Sequence, residues 1–125
     1  SPAYYDKDML TDKSMRFLVS EIIREKILLR YEKEIPYSTE VMVEEYLEAD
    51  NLNRIRAVIF TERESQKRII IGHGGEQIKK IGIEARKDIE EFTSKKCFLE
   101  LFVKVKKDWR NSERDLQNFG YEQKK

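Results

Sequence analysis

From about residue 12 to residue 33, apolar side chains recur three and four positions apart, at Met15, Leu18, Val19, Ile22, Ile23, Ile27 and Tyr31, with charged residues between them. A helix turns once in 3.6 residues, so this spacing stacks the apolar groups on one face and predicts a long amphipathic helix. Ile35-Pro36 ends the pattern, because proline lacks the amide hydrogen that a helix interior needs. Residues 38–49 are rich in Val, Tyr and alternating Glu, and residues 51–61 place Ile55, Ala57 and Ile59 at period two, with Asp50-Asn51 between the segments. Alternation on both sides of a turn-forming pair predicts a β-hairpin.

Residues 64–71 fit a short helix closed by Gly72, and after further glycines a second helix runs to about residue 93, with the stripe Ile78, Ile81, Ala85, Ile89 and Phe92. Gly82 interrupts that helix at a cost of about 1 kcal/mol relative to Ala, which predicts close helix packing at this point. Residues 97–105 alternate Leu99, Leu101, Val103 and Val105 with Phe98, Glu100, Phe102 and Lys104, the pattern of a well-buried strand. A last short helix is expected over 112–119, with Ser112 and Asp115 at capping-box spacing and Gly120 behind it.

The expected order is helix, strand, strand, helix, glycine loop, helix, strand, helix. A helix pair between the second and third strands allows them to lie parallel through a right-handed crossover, while the hairpin supplies an antiparallel neighbour. The fold class is therefore α+β: a mixed three-stranded sheet with helices packed on one face, plus a C-terminal helix. Residues 1–11, which begin Ser1-Pro2-Ala3-Tyr4-Tyr5 without an initiator methionine, are read as a linker remnant of a longer protein. Residues 12–107 form the domain, and residues 108–125 its terminal helix and tail.

A chain of 125 residues suits one domain, and apolar and charged residues at 39% each describe a patterned core under a heavily ionised surface. No run is long enough to cross a bilayer and no secretory signal opens the chain, so the cytosol is the expected compartment. The single cysteine, Cys97, excludes an internal disulfide and a zinc knuckle, and its apolar surroundings suit a small buried residue. Net charge is +1, but unevenly spread: residues 1–50 hold 7 basic and 12 acidic groups, net −5, and residues 51–125 hold 18 and 12, net +6. The second half is the candidate for a polyanionic partner.

The segment Ile69-Ile70-Ile71-Gly72-His73-Gly74-Gly75-Glu76-Gln77-Ile78-Lys79-Lys80-Ile81 carries the candidate chemistry. Glycines at 72, 74 and 75 remove side chains where a phosphodiester must approach the backbone, and the helix that follows aims unpaired amides at it. Ile70, Ile71 and Ile78 are expected to line an apolar groove for unstacked bases, flanked by Lys67, Arg68, Lys79 and Lys80. A Gly-x-x-Gly alone is more often a helix cap joined to a tight turn, and the apolar residues and element order on both sides give it specificity. His73, the only histidine, has no orienting partner legible in the sequence, so no catalytic or metal site is assigned. Acidic pairs such as Glu90-Glu91 suit a solvated, ion-paired surface. Lys104, Lys106, Lys107 and Arg110 surround Trp109, which suits either base stacking or anchoring of the last helix.

These residues match the KH signature, and a helix and extra strand before the motif resemble its type II arrangement. Glu64-Ser65-Gln66-Lys67, Ile81-Gly82-Ile83-Glu84-Ala85-Arg86-Lys87-Asp88-Ile89, Leu99-Glu100-Leu101-Phe102-Val103-Lys104-Val105-Lys106, Trp109 and Asn118-Phe119-Gly120-Tyr121 together resemble the C-terminal domain of the Era family of bacterial GTPases. The resemblance implies binding to the single-stranded 3′ tail of small-subunit ribosomal RNA, as part of a GTPase that assists assembly of the small ribosomal subunit. The central positions of the loop, often Lys or Arg in KH domains, are His73 and Gly74 here. No Gly-x-x-x-x-Gly-Lys-Ser/Thr loop occurs, so GTP and Mg are expected in a GTPase domain N-terminal to this sequence, with no cofactor and no enzymatic activity in residues 1–125. That GTPase domain is an expected partner within the chain. The resemblance also implies a cytoplasmic protein, with a peripheral position at the inner face of the membrane. The alternatives are a protein-interaction or regulatory module that docks a GTPase domain or ribosomal protein through its first helix or acidic half, and the KH domain of another ribosomal or transcription factor.

Overall fold

A computed structural model describes residues 12–32 and 34–107. The linker at 1–11, the helix expected over 112–119, and Trp109 and Arg110 of the basic run lie outside the described residues, whereas Lys104, Lys106 and Lys107 are within them.

Helix α1 (Asp12–Arg30) buries Met15, Val19, Ile23 and Ile27, four residues apart, with Leu18, Ile22 and Tyr31 packed against the same cluster. It ends three residues before its predicted limit. A single-turn helix α2 (Glu34–Tyr37) follows and takes Pro36 into its first turn, where a missing amide hydrogen costs nothing. Strands β1 (Thr39–Glu48) and β2 (Leu52–Thr61) form the antiparallel hairpin, in a register that pairs Val43 with Ala57 and Tyr46 with Ile55. A bulge lies between Val43 and Glu45, and the Arg16 guanidinium donates to the carbonyls of Val43 and Glu44 there, both at 3.2 Å. Helices α3 (Glu64–Ile71) and α4 (Glu76–Thr93) make the crossover to β3 (Lys96–Val105), which runs parallel to β2.

The sheet order is β1-β2-β3, with Ile55 beside Leu99, Ala57 beside Leu101 and Ile59 beside Val103. Ile55, Ala57 and Ile59 join Val19, Ile23 and Ile27 of α1, Ile70 of α3, and Ile81, Ala85 and Ile89 of α4 in one core. Helices thus cover one face of a mixed sheet. Each isoleucine withdrawn fully from water here stabilises the fold by about 1.5–3 kcal/mol relative to an exposed one.

Two expectations change. β3 is an edge strand, with Cys97 and Val103 as its buried residues, while Phe98 and Phe102 are 46% and 44% exposed. Successive strand side chains point to opposite faces, and helices cover only one. Gly82 faces β3 rather than another helix: a Cβ there would meet Leu101 Cδ1 at 3.7 Å, ordinary van der Waals contact.

Candidate nucleic-acid interface

Gln66, buried in the first turn of α3, accepts from the amides of Glu62 at 3.0 Å and Arg63 at 2.9 Å, which fixes where the helix starts. Eight residues later the Gly72 amide donates to the Arg68 carbonyl at 2.9 Å and the chain leaves the helix with φ 80° and ψ 176°. That conformation is essentially open to glycine alone. Gly74 (φ 62°) and Gly75 (φ 79°) are left-handed, and nothing lies within 4 Å of a Cβ built at either. Gly75 brings no capping side chain to α4, so amides in the first turn of α4 have no side-chain cap. The three glycines thus have different duties. Gly72 gives the backbone a shape, whereas Gly74 and Gly75 leave the approach to the helix open.

The isoleucines before the loop divide in the same way. Ile69 is half exposed and Ile71 half-buried, but Ile70 is 0% exposed and belongs to the core. The groove expected of Ile70 is corrected accordingly, since its position on α3 turns it toward the sheet. His73, Arg68, Lys79 and Lys80 are exposed and Lys67 is half-buried.

An open groove of about 310 Å³ lies between α4 and β3. It is lined by Ile78, Lys79, Gly82, Ile83 and Arg86 from the helix and by Phe98, Leu99 and Leu101 from the strand. Of the residues expected from the sequence it gathers Ile78 and Lys79, while Lys67, Arg68 and Lys80 lie outside its lining. Six lining residues were missed. Ile78, Gly82 and Arg86 are four apart, as are Lys79 and Ile83, so the helical half was readable as a stripe beside the core stripe. The strand half was not, because only the fold sets β3 against α4.

The groove carries two cations and no carboxylate around an apolar floor. Arg54 sits over the Phe98 ring at 5.2 Å, adding positive charge at the strand side. Such a lining suits a flat apolar ring attached to an anion. A larger depression between α1 and α4 has a different character, because carboxylates share its lining and two of its cations are engaged by them, Lys26 with Asp88 and Arg30 with Glu84. Burial pushes the Cys97 thiol up to about 11, leaving it protonated and inert at neutral pH. Among the described residues no helix is long and apolar enough to cross a membrane, and no cluster of metal-ligating side chains occurs.

Residues 34–110 match the model of the KH domain. The chain is 56% identical over 122 residues to the GTPase Era of Syntrophus aciditrophicus, covering 96% of this chain and 40% of that protein. It is 52% identical over 122 residues to that of Geotalea uraniireducens, with 97% and 41% covered. Among solved structures, an Era bound to MgGDPNP and nucleotides 1506–1542 of 16S ribosomal RNA superposes with a TM-score of 0.83 at 38% identity, over 94% of this chain and 40% of that one. An Aquifex aeolicus Era bound to GDP and AlF4− gives 0.82 with the same identity and coverage. The chain thus spans about 40% of the length of the relatives it matches. With the glycine loop set between α3 and α4 and its groove closed by β3, the chain belongs to the KH domain family, in the form shared with Era GTPases.

Proposed function

We propose that this chain binds single-stranded RNA at the 3′ end of small-subunit ribosomal RNA, as the KH domain of an Era-like GTPase that assists small-subunit assembly. The observation that carries the reading is the junction of an open glycine loop with an apolar, cation-edged groove. Gly72, His73, Gly74 and Gly75 with the first amides of α4 hold a phosphate, and bases lie along Ile78, Ile83, Phe98, Leu99 and Leu101. Lys79 and Arg86 face the sugar-phosphate chain from the groove, and Lys67, Arg68 and Lys80 from its surroundings, with Ile71 at the loop's stem. The similarity to an Era solved with 16S ribosomal RNA nucleotides supports the choice of RNA.

GTP and Mg belong, in this reading, to a GTPase domain outside residues 1–125, and no catalytic role is assigned within them. The protein works with small ribosomal subunits in the cytoplasm. A position at the inner face of the membrane draws no support from the described residues. The interaction-module reading is disfavoured because charges of α1 are engaged within the domain: Arg16 with Asp12, Arg24 with Glu21 and Glu40, Lys26 with Asp88, Arg30 with Glu84.

The test is an NMR titration with a short RNA carrying the 3′ tail sequence of small-subunit ribosomal RNA. Amides of residues 72–80, together with Ile83, Arg86 and residues 98–101, are expected to shift most. Shifts confined to α1 would favour the interaction module instead.

A further inference from the structure

The KH match begins at residue 34, so α1 lies outside it. Yet two adjacent residues at the end of α1 reach the chain on both sides of the glycine loop. The Arg30 guanidinium donates through Nη1 to Gln77 Oε1 at 3.5 Å, while its Nε and Nη2 hold the Glu84 carboxylate at 3.3 and 2.7 Å. Gln77 is the second residue of α4, and its Cβ and Cγ fill the space where any side chain at Gly72 would go. Tyr31 Oη donates at 2.8 Å to the carbonyl of Ile70, in the last turn of α3, where carbonyls have no partner within their own helix. Burial raises the Tyr31 phenol pKa against the lowering influence of Arg30, so the hydroxyl keeps its proton.

We propose that Arg30 and Tyr31 are positioning residues for the RNA-binding loop: they tie its two stems, at Ile70 and Gln77, to one rigid backing and so select the loop shape that grips a phosphate. The inference rests on the reading of the loop as an RNA clamp. Its physical basis is that three glycines in four positions make a loop with many accessible conformations. Apparent affinity falls in proportion to the fraction of molecules holding the competent one. The brace acts through main-chain and amide groups and needs no contact with RNA. Because the ties come from the last residue of α1 and the one after it, whose amide donates to the Ile27 carbonyl at 3.1 Å, a displacement of the last turn of α1 is transmitted to both stems at once.

The experiment compares Arg30→Lys combined with Tyr31→Phe against the parent and against Lys26→Met. The double variant keeps every charge but loses the guanidinium fork and the phenolic hydroxyl. Lys26→Met breaks the Lys26–Asp88 pair between the same two helices without touching the loop. Three quantities are read on each protein: thermal melting, the amide resonances of Gly72, Gly74 and Gly75 without RNA, and affinity for single-stranded RNA of the 16S 3′ tail sequence. The double variant is expected to shift and broaden the loop amides and to bind about three- to tenfold more weakly, as expected for loss of about one net hydrogen bond's worth of loop selection. Lys26→Met is expected to lower the melting temperature while leaving loop and affinity as in the parent. If the double variant keeps parental loop resonances and parental affinity, the brace is only helix packing and the inference is overturned. If the parent itself does not bind, the RNA reading fails, and the loop resonances of the free variants alone decide the brace, unchanged ones overturning it. Should the double variant not fold, Tyr31→Phe alone, which deletes one oxygen, carries the same test.

Discussion

A Cβ built on Gly72 would stand 2.6 Å from Cγ of Gln77 and 2.9 Å from its backbone nitrogen. Real side chains do not approach a main-chain atom so closely, so Gly72 and Gln77 are interlocked, and α4 can start where it does only while residue 72 lacks a side chain. Gly74, two residues on, has open space around it. Gly72→Ala is therefore expected to cost about 1–3 kcal/mol for its backbone conformation and more for the contact, whereas Gly74→Ala costs about 1–2 kcal/mol of left-handed strain alone. Denaturant unfolding of both variants checks this, and equal losses would show that the interlock relaxes cheaply.

The loop's surface is expected to reject added negative charge. His73 and Gly74 are exposed, and Asp tolerates the left-handed backbone of Gly74 better than most residues. Replacing both by Asp should leave a folded domain that no longer binds RNA, since each carboxylate 4 Å from a phosphate adds repulsion of about 1 kcal/mol in water and more where water is excluded. Melting and RNA affinity measured on one sample decide the matter. A folded variant with parental affinity reduces the loop to a turn.

Ile83, half exposed on the helical wall of the groove, offers a test of the groove beyond Ile78 and Lys79, the two lining residues expected from the sequence. Ile83→Glu places a carboxylate between Lys79 and Arg86 and removes a surface for a base, so affinity should fall by about 1–3 kcal/mol, the value typical of one stacked base. Thermal stability should stay within about 0.5 kcal/mol, as for other surface changes. Unchanged affinity would place the bases elsewhere.

Salt should weaken binding with a log-log slope of about −0.7 per phosphate neutralised on a single strand, hence roughly −2 to −3 for three or four contacts. Affinities over a series of potassium chloride concentrations give the slope directly. A flat response would mean that the cations near the loop and groove contribute little.

Stability should also fall in alkali. Burial pushes the Cys97 thiol from an ordinary 9.0 up to about 11, and the Tyr46 phenol from 10.0 up to about 12. Between those limits the folded chain holds protons that the unfolded chain has released, so rising pH favours unfolding. The benefit is complete below pH 9 and is lost progressively as pH climbs toward 12. Melting temperatures across this range should decline, and Cys97→Ala should flatten the part between pH 9 and 11. An identical decline in that variant would assign the loss to other groups.

The sequence by itself determined the succession of α1, the hairpin, the helix pair around the glycines and β3, though not the single-turn α2, and the core stripes of α1 and α4, because each depends on periodicity and turn chemistry within a short segment. Met15, Val19, Ile23 and Ile27 are buried as their spacing requires, and so are Ile81, Ala85 and Ile89. The tertiary structure decided which apolar groups are core and which are site. The triplet Ile69-Ile70-Ile71 is uniform in composition, yet only the packing of α3 on the sheet buries Ile70 and leaves Ile69 outside. Phe98, Leu99 and Leu101 alternate as a buried strand would, but edge position and one-sided helix cover turn Phe98 outward and make the β3 side of the groove. The ties from Arg30 and Tyr31 to the loop stems span 47 and 39 residues of sequence. No local pattern encodes such contacts, because they exist only once α1 has packed beside the crossover.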